Sequence, residues 1–470
     1  MFRLLAENDI EPLADAVGTV LEEVGILCQN SEMLAALRAM GAEVDFPAER
    51  VRFPRSMVRE FVAGLEAQSA TEPEADEPRR FQAPSAPLLE TQVAPFVYDY
   101  DKQEHRRGRA EDFINLIKLG DVLHGDQGVG HCLVLADVPP LVEPLHAALL
   151  LAEYAHQPGP AFAWNVRQVE YLIEMGELLG LPNWYTLGAT CIAHPLRFDR
   201  DVADRFVYGV AHGEAAGLTA MPVAGMTTPV TVEGFITVAA AEHLAAWLAG
   251  RALNPEVRLT GGMWAGVLDM RTGHVSYSSF DAMFYGCATA EFLRCWCHVE
   301  VAVGGGEYCD AKLPGMYAAL EKAYKSMTIA AFTGRHPELG HGLLDEGKSL
   351  SAVELLLERD LAGGIAQFGR EIAPTADNLA LSGILEVGLG LDANHLGLEH
   401  TARNFRSCLW LPTFIERSGW NGFDQERQML DRIQDQVNAL TAEYHKPDDR
   451  ADKLAAMRAI VERAAQSLLP

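Results

Sequence analysis

The chain is short of positive charge: 38 Lys and Arg stand against 65 Asp and Glu, a net charge of −27 at pH 7. Such an acidic surface repels phosphate backbones and anionic bilayers, which argues against nucleic acid and membrane as partners. No apolar run reads as long enough to span a bilayer. The opening MFRLLAENDIEPL carries no signal-peptide core, because acidic residues interrupt it early. Cysteine is sparse, eight in 470 residues without framework spacing, so reduced thiols and a cytoplasmic location are expected. Familiar catalytic fingerprints are missing as well. There is no GxSxG and no P-loop, and Gly304-Gly305-Gly306 is not a GxGxxG leading straight into a helix.

What is present is an ordinary globular composition, 49% apolar and 22% charged, able to bury a large core. Residues 1–67 read as an α+β cap, with helical periods at Glu11–Val24 and Glu32–Met40, the second closed by Gly41. Residues 68–109 read as a proline-rich linker followed by a hairpin, Phe96–Tyr100 with Glu104–Arg107. Residues 110–420 alternate helical stretches with short apolar runs. The runs are Val129–Leu135, Ala161–Val166, Tyr185–Ile192, Leu218–Val223, Val257–Met263 and Val299–Val303, a weak seventh at 336–344, and an eighth at Leu381–Val387. Eight such repeats predict an α/β fold of the (β/α)8 TIM-barrel type, with an open doubly wound sheet as the alternative. Residues 421–470 read as two charged amphipathic helices, a solvated face or a subunit contact.

In a barrel the chemistry lies past the C-terminal ends of the strands. Those positions collect aromatic residues: Trp164, Trp184, Tyr185, Trp264 and Tyr308, with Tyr98 and Tyr100 on the hairpin. Several ring faces around one cavity suit a quaternary ammonium, which can donate no hydrogen bond and is held by cation–π attraction. For any single ring, packing of the barrel mouth is the commoner use. Glu307 and Tyr308 follow the glycine run, and His341 and Glu346 lie in the next glycine-punctuated loop. No metal is assigned. Cys287, Cys295, Cys297 and Cys309 fit no zinc spacing and read as structural thiols, and His395 and His400 are five apart where a helical HExxH needs four.

Longer strings carry a resemblance. HPLRFD at 194–199, MPVAGMTTPVTVEG at 221–234, LDMRTGHVSYSS at 268–279, DAKLPGMYAALEKA at 310–323, GLLDEG at 342–347 and HLGLEHTARNFRSCLWLP at 395–412 resemble the trimethylamine methyltransferase family. The resemblance implies a (β/α)8 barrel that presents a methylated amine to a partner corrinoid protein. Cob(I)alamin there takes one methyl group and becomes methylcobalamin, with no cofactor held tightly by this chain. The methanogen enzymes place a pyrrolysine in the loop after GLLDS. Here Gly347 of GLLDEG stands in that place, which resembles the branch without pyrrolysine, glycine betaine methyltransferases among it.

A quaternary amine releases a neutral tertiary amine, so little acid–base machinery is required, and catalysis rests on positioning. Tyr98, Trp164, Trp264, Glu307, Tyr308 and Gly347 are then expected to bind substrate, and His341 and Glu346 to act in catalysis. Glu338 is a further carboxylate for the cation, and Arg271 a further donor for a betaine carboxylate. A homo-oligomer is also expected. The competing readings are demethylation with a folate or thiol acceptor and a non-catalytic binder of quaternary amines.

Overall fold

A computed structural model of the chain describes residues 3–70, 81, 83–90, 92–334, 339–420 and 422–469. The expected linker lies largely outside them, as do Pro337 and Glu338. At the start, α1 (Glu7–Thr19), α2 (Ser31–Met40) and α3 (Arg55–Ser69) surround a small sheet ordered Glu43–Asp45, Arg50–Arg52, Ile26–Cys28, Arg197–Phe198. Asn30 caps α2, its side chain accepting the Met33 N–H at 2.8 Å, and Gly41 ends it at φ 113°. The last strand of this sheet comes from the HPLRFD string and runs parallel to Ile26–Cys28. The cap is thus stitched to the body.

The body carries α4 (Ala110–His124), α5 (Glu143–Tyr154), α6 (Val169–Leu179), α7 (Arg200–Ala211), α8 (Val232–Leu253), α9 (Phe280–Cys297), α10 (Met316–Thr333) and α11 (Ala352–Ile365). Short extended pieces lie between them and pair in parallel. Ser349–Leu350 pairs with Phe96–Asp99, Ala94 with Leu133, and Val129 with Pro158. Ala161–Phe162 pairs with Tyr185–Thr186, and the Thr219 N–H donates to Thr190 O at 2.9 Å. Thr219–Ala220 then pairs with Gly262–Met263, and that with Ala302–Val303. The fold is mixed α/β, with helices alternating with small sheets. Phe96–Asp99 forms the expected hairpin with Glu104–Arg107, and it is also the parallel neighbour of Ser349–Leu350.

One expected strand is overturned. Leu381–Val387 is a helix, α13, set between α12 (Ala376–Leu379) and α14 (Glu399–Cys408). Its apolar residues Leu381, Ile384 and Leu385 repeat at helical rather than alternating spacing, a period that so short a run shows only weakly. The excursion is tied at its base by Arg370 Nη1 donating to Cys408 O at 2.6 Å. Leu385 and Leu389 stand exposed on it. Of the expected seventh strand, the described part is Leu343–Leu344, antiparallel to Ser349–Leu350.

The tail forms α15 (Gln425–Glu443) and α16 (Ala451–Leu468). Met429, Ile433, Val437, Met457 and Val461 join a core with Leu116, Leu145 and Leu355, so the tail buries its apolar side against its own chain. A second core unites Val17, Met33 and Leu37 of the cap with Phe235, Leu244 and Trp247 of α8. By length and composition α8 is apolar enough to cross a membrane, unlike the sequence expectation, yet most of it is buried inside this fold.

Candidate active site

Beyond the strands Gly262–Met263 and Ala302–Val303 the backbone carries glycine where an indole must lie against it. A Cβ on Gly304 would stand 1.8 Å from the Trp264 ring, and one on Gly262 2.1 Å from it. The ring therefore rests on the bare backbone of two neighbouring strands. Its Nε1–H donates to Glu307 Oε1, and Glu307 Oε2 accepts the Gly305 N–H at 3.1 Å. Tyr308 follows, its ring 6.2 Å from that of Tyr277 at 64°. Gln92 Nε2 donates to the Tyr308 hydroxyl at 3.3 Å. Trp264, Tyr277 and Tyr308 are half-buried, whereas Glu307 is buried.

The GLLDEG loop closes this group. Asp345, Glu346 and Gly347 are three successive residues at positive φ, 50°, 58° and 78°. For the two non-glycine residues that conformation costs about 1–2 kcal/mol each. It turns Gly347 against Tyr308, whose ring carbon would lie 2.3 Å from an added Cβ. It also buries the Glu346 carboxyl, whose Oε2 accepts from Ser278 Oγ at 3.5 Å and whose Oε1 has no hydrogen-bond partner among the described residues. From α10 the fully buried Lys325 donates to Ser278 Oγ at 3.0 Å and to Tyr308 O at 2.7 Å. Burial, followed by the neighbouring Asp310 carboxyl, pushes Glu346 up to about 9, and burial pulls Lys325 down. Asp310 itself accepts from Ser276 Oγ at 2.6 Å.

Five of the expected residues, Trp264, Glu307, Tyr308, Glu346 and Gly347, thus come together. The others are held elsewhere. Trp164 Nε1–H donates to Glu143 Oε2 at 2.9 Å, and its ring packs 4.3 Å from Phe162. Glu143 also accepts the Leu135 N–H at 2.9 Å and meets His131 Nε2 at 3.0 Å. Tyr98 donates to Gln103 Oε1 at 3.2 Å and lines a cleft of about 850 Å³ with Tyr100, Tyr317 and Asp310. His341 donates through Nδ1 to Leu88 O, across Gln92 from Tyr308. Trp184 is buried and donates to Pro158 O at 3.0 Å, the packing role that is common for such a ring. Arg271 is exposed and pairs with Asp269. Burial pushes the Cys287 and Cys309 thiols up to about 12, which favours the inert thiol.

Tyr277, Ser278 and Lys325 were not singled out in the sequence. The first two sit inside a quoted string as ordinary polar residues. Lys325 left a readable trace: Ala318, Lys322, Lys325 and Ile329 share one face of α10, so two lysines occupy the side that must be buried.

Comparison with known proteins places the chain in a family. The chain is 22% identical to the glycine betaine methyltransferase of Desulfitobacterium hafniense (strain Y51) over 466 residues, covering 95% of this chain and 94% of that one. It is 21% identical to a trimethylamine methyltransferase MttB of Desulfitobacterium hafniense (strain DSM 10664 / DCB-2), covering 98% and 94%. Against trimethylamine methyltransferase MttB2 of Methanosarcina mazei it is 22% identical, covering 58% and 54%. The family model described as trimethylamine methyltransferase (MTTB) matches residues 1–468. The chain therefore belongs to the trimethylamine methyltransferase family, a family of methyltransferases.

Proposed function

We propose that the chain moves a methyl group from a quaternary amine, glycine betaine or a similar compound, to cob(I)alamin on a partner corrinoid protein. The observation that carries this reading is the half-buried group of Trp264, Tyr277 and Tyr308 beside the buried carboxyls of Glu307 and Glu346. Each ring face contributes about 0.5–2 kcal/mol to holding a desolvated cation. The full-length likeness to a glycine betaine methyltransferase supports the same substrate class. Trp164, just past the end of its own strand as Trp264 is, packs on Phe162 and donates to Glu143, and in this reading it lines the mouth outside that group. Tyr98 and His341, set in the adjoining clefts, would meet substrate only at its periphery.

The chain's own work is to bind and aim. The rings exclude water around the ammonium, and the carboxyls offset its charge. The glycine floor under Trp264 keeps that ring where a bulkier backbone would displace it. One N-methyl group is then presented outward, and the departing amine needs no proton to leave. The corrinoid supplies the nucleophilic metal centre and remains on its partner.

A closed (β/α)8 barrel is part of the proposal. Its support is the succession of parallel neighbours from Ser349 round to Ala302, and the Glu346 and Asp345 N–H groups donating to Cys309 O and Ala311 O, next to where the succession begins. Homo-oligomer formation and a cytoplasmic location are kept as proposals too. The exposed leucines of α13 are apolar surface that an assembly would cover.

The test follows cob(I)alamin absorbance with free cobalamin as acceptor and a panel of glycine betaine, other betaines, carnitine and choline. Methylation dependent on one of them is expected. No turnover with any of them sinks the proposal. Demethylation without cobalamin would move the acceptor to a folate or thiol, and tight binding without transfer would make the chain a binder.

A further inference from the structure

Glu346, Lys325 and Asp310 are more chemistry than a positioning catalyst needs. We propose that these three groups hold one exchangeable proton in the empty site, and that a bound quaternary ammonium expels it to solvent. The inference deepens the function proposed above and rests on it.

Three observations meet at Glu346. Among the described residues its Oε1 is buried without a hydrogen-bond donor, although a buried ionised carboxylate oxygen is costly to leave bare. Asp310, an acceptor already serving Ser276, lies beside it, so a proton on Glu346 would satisfy both carboxyls at once. Ser278 Oγ stands between Lys325 Nζ, at 3.0 Å, and Glu346 Oε2, at 3.5 Å, a path by which the lysine and the carboxyl sense one another.

The groups facing Glu346 come from every element packed on it. Lys325 and Tyr324 reach it from α10. Tyr277 stands before α9, and Asp310 and Lys312 lie in the loop ahead of α10. Lys325 also senses Glu307 and Glu321. Lys325, the buried cation facing Glu346 among the described residues, is shared among several carboxyls. Glu346 accordingly sits near 9 and is protonated at neutral pH.

A ligand with a fixed positive charge reverses this. It favours the ionised carboxylate, so Glu346 loses its proton as the ammonium enters, and the ammonium takes the place of the proton's charge beside that carboxyl. By linkage, affinity rises with pH, by up to tenfold per unit below about pH 9, and levels off above it. A neutral tertiary amine lacks this charge and leaves the proton in place, which favours release of the demethylated product.

Calorimetric titration of the full chain with glycine betaine at pH 7.5, in phosphate and in Tris, counts protons. Close to one released per ligand is expected, and in wild type the infrared band of a protonated carboxyl should vanish on binding. Glu346→Gln, if folded, should bind more weakly, without proton release and without pH dependence. Binding with the same heat in both buffers and an unchanged carboxyl band overturns the inference while leaving the proposed substrate standing. No binding across the whole panel overturns both.

Discussion

The Trp264 indole N–H donates to the Glu307 carboxylate while the ring itself fills the space a side chain on Gly304 would need. One residue sets the edge of the ring and the other its floor. Gly304→Ala should therefore act through Trp264. The contact at 1.8 Å leaves the ring no choice but to move, at a cost of about 1–3 kcal/mol in stability. KM for the quaternary amine should rise at least several-fold, and tryptophan fluorescence should report the displaced indole. Unchanged kinetics would show that the indole's position is immaterial to the reaction.

Trp264→Phe separates the two duties of the indole. It keeps a ring face but removes the donor, leaving Glu307 buried with the Gly305 N–H as its remaining donor among the described residues. Loss of a donor to a buried charge costs about 1–3 kcal/mol. Trp264→Leu removes the face too, and ligand binding should weaken by a further factor of about 2–30, the worth of one cation–π contact. Calorimetry on both variants distinguishes a ring that binds from a ring that merely packs.

How much of this was legible follows from how each feature is encoded. Helices were readable because their caps and apolar periods are local: the stretch read as Glu32–Met40 is the helix Ser31–Met40, ended by Gly41 as expected. Strands two residues long, such as Ala302–Val303, carry almost no alternation, so their ends were only approximate. Leu381–Val387 was misread because a short apolar run does not reveal its own period. At the site, Trp264 was found as an aromatic residue at the end of a strand, and Glu307 because it follows a glycine run. Lys325 was missed because a buried lysine is defined by partners distant in sequence, Ser278 and Tyr308.

Lys322, one turn before Lys325, is a structural charge. It is fully buried, donates to Glu358 Oε1 and Leu343 O, and stands 3.7 Å from Glu354 Oε1. Those carboxylates in turn accept the Gly315 and Gly342 N–H groups. Lys322→Met strands two buried carboxylates and should cost about 3–5 kcal/mol in urea unfolding. A small loss would mean that the two glutamates are protonated in the native state.

His243 predicts an acid limit. Both ring nitrogens are buried without partners, and burial, with His194 nearby, pulls it down to about 3. The unfolded chain binds that proton near 6.5, so the stability this histidine contributes is present above 6.5 and is lost as pH falls through the window towards 3. The slope is about 1.4 kcal/mol per pH unit. His243→Leu should flatten the fall between pH 6 and 4, measured by urea midpoints at each pH. An unchanged slope would show that the ring stays uncharged in both states.

Gly347 is required twice, and the two requirements can be told apart. Its φ of 78° strains any side chain, and the Tyr308 ring lies 2.3 Å from where a Cβ would sit. Gly347→Ala should cost about 1–2 kcal/mol for the backbone and also push Tyr308 away from Tyr277. Pairing it with Tyr308→Ala removes the clash but keeps the strain. If the glycine serves the ring, adding Gly347→Ala to Tyr308→Ala should weaken glycine betaine binding far less than it does alone, a coupling of order 1 kcal/mol or more in a double-mutant cycle. Additive losses would mean that the glycine serves only the three-residue left-handed turn that carries Glu346, and that Tyr308 binds independently of it.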